Sequence, residues 1–287
     1  MTAPTVAAPT DLAGPLVVPV PEDPAARLAF SRRSGRGGAL HDDGAGNVSL
    51  VVGAAPGAPE PLAARAALAA AVGLGPDDVV YAQQVHGAAV AHVDGRHRGQ
   101  GARRQRDGVP GVDALVSTIP GLGVAVMAAD CVPILLVDPG RGVAAVHAGR
   151  AGMAAGVVAA AVQALAGKQP DRVVAVVGPA IGGCCYELPA RLADQVAALV
   201  PQARATTTRG TPSLDLPAGV TAQLHQAGVE RVERAGTCTR CGGDDWFSAR
   251  AAAEGNAPSG RHAGIAVRLQ SPRSAAPVQG PRTASLD

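Results

Sequence analysis

A chain of 287 residues with a formal net charge of +2 has no strong field to steer it toward nucleic acid or an anionic membrane. Aromatic residues make up only 2%, too few for a base-stacking surface, while 47% of residues are apolar, so the expected core is one of small Ala and Val side chains. Five cysteines without a secretory-type N-terminus argue against a disulfide framework, and no apolar run is both long and charge-free enough to span a bilayer; a cytoplasmic protein without nucleic-acid or membrane partners is expected.

The Pro- and Ala-rich segment 1–26 reads as a disordered tail, as does 270–287, leaving 27–269 as one α/β domain. "RLAFSRRSGRGG" (27–38) is a short strand running into a Gly/Arg loop. An Ala-rich helix follows and stops at the Gly75-Pro76 break. "VVYAQQVHGAAVAHV" (79–93) is strand-like with His86-Gly87 interrupting it, and 94–111 is a polar Gly- and Arg-rich loop. Four strand patterns come next: "DALVST", "GVAVMAA", "VPILLVD" and "GVAAVHA". A long helix is expected over 151–167, then a strand and Gly-rich turn in "DRVVAVVGPAIGGCCYEL", and an amphipathic helix in "PARLADQVAALV". The chain closes with strand and helix in 212–229, then strand, short helix and strand in "VERVERAG", "DWFSARAAAEG" and "RHAGIAVRL". This alternation predicts a single-domain α/β sandwich with mixed strand pairing.

The turn "DPGRG" joins the strand patterns 132–138 and 143–147 into a hairpin, which brings Cys131 at the start of one near His147 at the end of the other. A Cys and a His at one end of a buried hairpin, with Asp130 alongside, suit either a metal site or a nucleophile–base pair. His86, in "QQVHG", would complete a three-ligand set, although spacing alone does not join it to the other two. Gly182 and Gly183 lie in a turn after a strand and could present N–H groups to an anion. Cys238 and Cys241 have metal-ligand spacing, but one CxxC pair is a weak signal, and these two together with Cys184 and Cys185 are read as reduced structural thiols.

Taken together, "QVHG", "AADCVPILLVDP", "GVAAVHAG", "GPAIGGCCYEL" and "GTCT…FSAR…SGRHAGIAVRL" resemble, in this order, the motifs of the YfiH-like laccase-domain family, also called the multicopper polyphenol oxidase or purine nucleoside phosphorylase family. The resemblance spans roughly 27–269. It implies a single α/β sandwich of the cysteine-hydrolase type, with His86, Cys131 and His147 as ligands of Zn2+, or alternatively Cu2+. The implied activity is phosphorolysis of adenosine, inosine or methylthioadenosine with inorganic phosphate, together with adenosine deamination. On that reading Asp130, Cys131 and His147 are catalytic, Asp130 as acid/base, and Arg33, Arg65 and Arg250 are anion clamps beside Gly182 and Gly183. The alternatives are a copper polyphenol oxidase, a Cys–His hydrolase acting on a peptidoglycan precursor, and a weakly active paralogue. The seven His include no HxH pair, which disfavours a multicopper cluster. The chain departs from the family pattern at Arg150-Ala151, where Trp-Arg is usual, at Ala64 before Arg65, and at Ala251 after Arg250.

Overall fold

The computed structural model describes residues 14–33, 46–55 and 57–270; the expected C-terminal tail from 271 onward and the first half of the N-terminal one lie outside the described residues. In chain order the elements begin with β1 (Leu16–Val18), β2 (Ala26–Phe30), α1 (Glu60–Ala71), β3 (Val79–Gln83), β4 (Val90–Val93), β5 (Val109–Pro110) and β6 (Ala114–Ser117). The middle holds β7 (Gly123–Ala128), β8 (Val132–Asp138), β9 (Gly142–Ala148), α2 (Arg150–Ala155), α3 (Val157–Ala166) and β10 (Val174–Val177). The remainder comprises α4 (Ala190–Leu199), β11 (Arg204–Thr206), β12 (Pro212–Leu214), α5 (Leu216–Gln226), β13 (Arg231–Arg234), α6 (Ala249–Ala253) and β14 (His262–Arg268).

Two six-stranded sheets carry the fold, ordered β1-β2-β14-β7-β3-β5 and β13-β10-β8-β9-β6-β4. Both mix parallel pairs, such as β3 with β7 and β4 with β6, with antiparallel ones, such as β8 with β9. The sheets pack face to face. Leu28, Phe30, Val124 and Val126 from the first meet Leu135, Val137, Val143 and Val174 from the second in one buried cluster. The alternate residues of the same strands point outward. Ile134, Leu136, Ala144 and Val146 pack under α3 and α5 through Val158, Ala161 and Val220, while Ala125 and Ile265 pack under α1 through Leu68 and Ala69. The result is a four-layer α/β/β/α sandwich. Strands buried on both faces read as continuous apolar runs rather than alternating ones, which is why every residue of β8 and β9 is buried.

The 132–138/143–147 hairpin forms with Asp138 opposite Gly142 at the turn and Pro133 opposite His147 at the far end. Three expectations change. Leu16–Val18, inside the expected disordered tail, forms an edge strand on β2, because Leu16, Val18 and Val20 are apolar at alternate positions and bury against the inter-sheet core. The helix expected over 151–167 is two, since Gly156 takes a left-handed φ of 89° and ends α2. Finally, 79–93 is not one interrupted strand: β3 lies in the first sheet and β4 in the second, so the chain crosses the sandwich at residues 84–89.

Phe30, fully buried, fills the gap between sheets opposite two glycines. A Cβ on Gly178 would stand 2.3 Å from its Cε1, and one on Gly264 2.9 Å from the same atom. Gly178→Ala is therefore expected to cost about 1–3 kcal/mol of unfolding free energy by overpacking. Urea denaturation should show Phe30→Leu in the same chain recovering part of that loss; purely additive effects would show that the ring does not occupy this gap.

Candidate active site

The site lies where the chain passes from one sheet to the other. The β3–β4 crossing supplies His86, the β7–β8 connection supplies Cys131, and β9 supplies His147. One ligand atom from each lies within 4.8 Å of the others, and the two imidazoles meet edge to face with centroids 4.8 Å apart. Small residues make room for this. A Cβ on Gly149 would sit 2.8 Å from Cys131 Sγ and 2.9 Å from His86 Cδ2.

A residue that the sequence reading missed organises the group. Asp113, fully buried just before β6, accepts a hydrogen bond from His147 Nδ1 at 2.8 Å. Its carboxylate also accepts the backbone N–H groups of Val85 (3.2 Å), His86 (2.9 Å) and Gly87 (2.7 Å). Consecutive N–H groups converge on one anion only if the backbone curls, and His86 takes a left-handed φ of 60° to do so. With Nδ1 occupied, His147 turns Nε2 toward Cys131 and His86, as metal-binding or acid–base work requires.

The electrostatics follow from the same contacts. Burial raises the Cys131 thiol, but hydrogen bonds from His147 and then His86, and their charges, outweigh it and bring its pKa down to about 6. Burial lowers His147, yet its bonds to Asp113 and Cys131 carry it up to about 9. Burial also raises Asp113, and the bonds from His147 and Gly87 reverse that to a net lowering. Without a metal ion the trio is thus a thiolate beside an imidazolium braced by a carboxylate.

His86, Cys131 and His147 line a cavity of about 460 Å³, within the range of small-molecule sites. Its walls include Gln84, Met127, Tyr186, Arg250 and Arg261. Gln84 is fixed by exchanging two bonds with the backbone of Met127 (2.8 and 2.7 Å). Tyr186 has its pKa raised by burial and then by the Cys131 charge, with Arg150 and Arg250 pulling the other way, so its hydroxyl stays protonated near the thiolate. Arg250 donates to the Glu187 carbonyl at 3.1 Å and lies 5.4 Å over the Tyr186 ring. The signal for Asp113 was a lone acid opening the apolar run "DALVS"; Tyr186 and Arg261 stood within quoted motifs without being singled out.

The remaining sequence candidates are placed differently. Asp130 borders the cavity, but both its oxygens are engaged, one by the Thr239 hydroxyl at 2.6 Å and one by the Arg250 backbone N–H at 2.7 Å, so it is held as an anchor instead of a proton carrier. Arg65 is buried behind the wall, where it donates to the carbonyls of Val48, Gly101 and Ala102 and stacks 4.1 Å from the Tyr81 ring; it satisfies backbone acceptors and meets no ligand space. Arg33 lines a separate depression with Arg240 and Asp244. Gly182 and Gly183 lie outside the cavity lining: Gly182 N–H points at Cys238 Sγ, and Gly183 packs against Ala205 and Asp215. The two cysteine pairs, expected as separate reduced thiols, converge, and Cys184, Cys185, Cys238 and Cys241 bring four sulfurs within 4.8 Å of one another.

Residues 28–269 match the family model described as multi-copper polyphenol oxidoreductase laccase. The chain belongs to this laccase-like YfiH family. It is 49% identical over 197 residues to a purine nucleoside phosphorylase of Streptomyces coelicolor, covering 68% of this chain and 78% of that one. It is also 35% identical over 202 residues to the adenosine deaminase RL5 of an unknown prokaryotic organism, covering 66% and 76%. The crystal structure of YlmD from Geobacillus stearothermophilus shares the fold with a TM-score of 0.80 at 29% identity, covering 92% of this chain and 99% of that one. YfiH from Bacillus licheniformis gives 0.76 at 27% identity, covering 90% and 97%.

Two measurements check the geometry. Asp113→Asn places an amide donor against N–H groups, so it should lower the melting temperature and weaken the binding of an added metal ion about 10–100-fold in chelator competition. In chelator-treated protein, iodoacetamide labelling of the Cys131 peptide should climb through pH about 6 and then level off, because the thiolate is the nucleophile. A climb only near the ordinary thiol value of about 8.5 would mean the ion pair does not form.

Proposed function

We propose that this chain is a zinc-dependent purine nucleoside phosphorylase acting on adenosine, inosine or methylthioadenosine, with adenosine deaminase activity at the same site. The observation that carries the reading is a His86–Cys131–His147 trio, buttressed by Asp113, in the lining of a cavity that also bears Arg250 and Arg261. Relatives named purine nucleoside phosphorylase and adenosine deaminase support it.

The donor set fits zinc. Two imidazoles and a thiolate are a borderline-soft trio suited to a catalytic zinc with one open position, and Gly149 leaves the space beside Cys131 and His86 that a Cβ would take. When bound, zinc supplies a Lewis acid that lowers the pKa of water and polarises an attacking or leaving group. The other tasks fall to side chains. Arg250 and Arg261 neutralise phosphate and hold it against the ribose, so that a phosphate oxygen bonds to the anomeric carbon as the bond to the purine nitrogen breaks. The protonated Tyr186 hydroxyl donates a hydrogen bond where negative charge develops. Asp130 fixes the Arg250 backbone, and Asp113 holds His147 in one tautomer.

The copper oxidase reading asks for several copper centres. Among the described residues His97 pairs with Asp94, His225 with the Val229 carbonyl and His262 with the Pro179 carbonyl, and His92 is exposed on β4, which leaves His86 and His147 as the imidazoles that face each other. The metal-free hydrolase reading keeps one specific support, the lowered Cys131 thiol beside the raised His147.

Zinc-loaded protein should release free purine base from adenosine, inosine or methylthioadenosine only when phosphate is added, and ammonia from adenosine without it. His86→Ala, Cys131→Ala and His147→Ala should each abolish both reactions, and Arg250→Ala or Arg261→Ala should lower phosphorolytic kcat/KM by roughly one to two decades, the effect of one charge-assisted contact of about 1.5–3 kcal/mol. Base release indifferent to phosphate would refute phosphorolysis. Activity that survives complete zinc removal would favour the Cys–His hydrolase.

A further inference from the structure

Four of the five cysteines have no task in the proposed reaction. Cys184 and Cys185 lie in the turn after β10, and Cys238 and Cys241 in the turn after β13. Those strands pair in parallel, and the bridge between Ala180 and Cys238 carries the pairing on into the two turns. The four sulfurs lie within 4.8 Å of one another, and Cys184 Sγ is 3.5 Å from Cys241 Sγ. We infer that Cys184, Cys185, Cys238 and Cys241 form a second metal centre, a tetrathiolate zinc site that fastens together the two turns behind the cavity wall.

Tetrahedral zinc with Zn–S bonds of about 2.3 Å requires sulfurs about 3.8 Å apart, a value inside the observed spread. The segment Cys238-Thr239-Arg240-Cys241-Gly242 has the form of a metal knuckle. The backbone N–H of Gly182 is directed at the Cys238 sulfur at 3.4 Å. Gly242 is required by closeness: its N–H bonds to the Cys238 carbonyl at 2.8 Å, and a Cβ would stand 2.5 Å from that oxygen. Arg240 places a cation beside Cys185 and offsets part of the negative charge of four thiolates. All five cysteines are free thiols, and this cluster is one group of four instead of two separate pairs. Soft thiolates select zinc over magnesium or calcium, and binding exchanges four S–H bonds for four S–Zn bonds with release of up to four protons. Tyr186 follows Cys185 directly, and Thr239, which holds Asp130, follows Cys238, so the centre would fix two points of the active-site wall.

The test is independent of the phosphorylase reading. In a His86→Ala/Cys131→Ala/His147→Ala variant the cluster supplies every remaining cysteine. Incubated with zinc chloride and desalted, it should keep about one zinc per chain by plasma mass spectrometry, and a mercurial should release that zinc as about four thiols react. In the unaltered chain, Cys238→Ser with Cys241→Ser should remove one zinc per chain and lower the melting temperature. Should the triple variant fail to fold, cobalt(II) added to the unaltered zinc-free chain gives a second reading. A sulfur-to-cobalt charge-transfer band of four- or five-thiolate intensity, according to whether Cys131 also binds, supports the site, and one of single-thiolate intensity overturns it. A folded triple variant that retains no zinc, or whose thiols react without releasing any or are joined as disulfides, overturns it equally. Absence of phosphorolysis in the unaltered chain with the cluster's zinc retained would count against the active-site assignment alone.

Discussion

One buried carboxylate holds the site and the sandwich in a single arrangement. Asp113 is fully buried, and a lone anion there would be costly to desolvate. Four donors offset that cost: three backbone N–H groups of residues 85–87 and His147 Nδ1. The first three fix the turn by which the chain leaves the first sheet for the second. The fourth fixes the ring at the end of β9. Two of the three clustered donors are thus positioned by the same side chain, one through its backbone and one through its imidazole. The third, Cys131, enters from the connection between β7 and β8, which crosses the same gap.

This arrangement accounts for the unusual composition. Central strands in a four-layer sandwich have no solvent face, so both sets of alternate residues must be apolar and small enough to pack. Val and Ala meet that demand, and Phe30 fits between the sheets only because Gly178 and Gly264 face it. The same economy of volume operates at the site. Gly149 admits Cys131 and His86, and Gly152 lies where a Cβ would come 2.9 Å from the Gly87 carbonyl.

Much of this was legible in the sequence where it depended on local pattern. The turn "DPGRG" and two apolar runs of matched length sufficed to bring Cys131 near His147. His86 could not be joined to them, because a run of mixed apolar residues does not reveal that its halves belong to different sheets. Asp113 was hidden for a related reason: an acid before a strand usually marks a turn, and its four partners come from segments 26 to 34 residues away. Arg65 was misread although the helical phase held the answer. It lies on the face shared by Leu68, Ala69 and Val72, all buried, so the periodicity already turned it inward. The convergence of Cys184-Cys185 with Cys238 and Cys241 rests on the parallel pairing of β10 with β13, a long-range choice that no spacing within either pair could show.

The residue that the sequence marked as an acid/base joins the two cysteine-bearing regions instead. Asp130 precedes Cys131 and takes a left-handed φ of 80°, uncommon for a residue with a side chain. Such a conformation persists when its surroundings over-determine it, and here three contacts do so. Its carbonyl accepts the Ile181 N–H at 3.0 Å, and its carboxylate oxygens take the Thr239 hydroxyl and the Arg250 N–H. Ile181 lies on the turn of Cys184 and Cys185, Thr239 follows Cys238, and Arg250 sits on the cavity wall. A shift of either cysteine turn would therefore reach the Asp130 backbone first and the Cys131 thiol through it. The sulfur that faces the two imidazoles is held at one remove by the same turns that gather the other four.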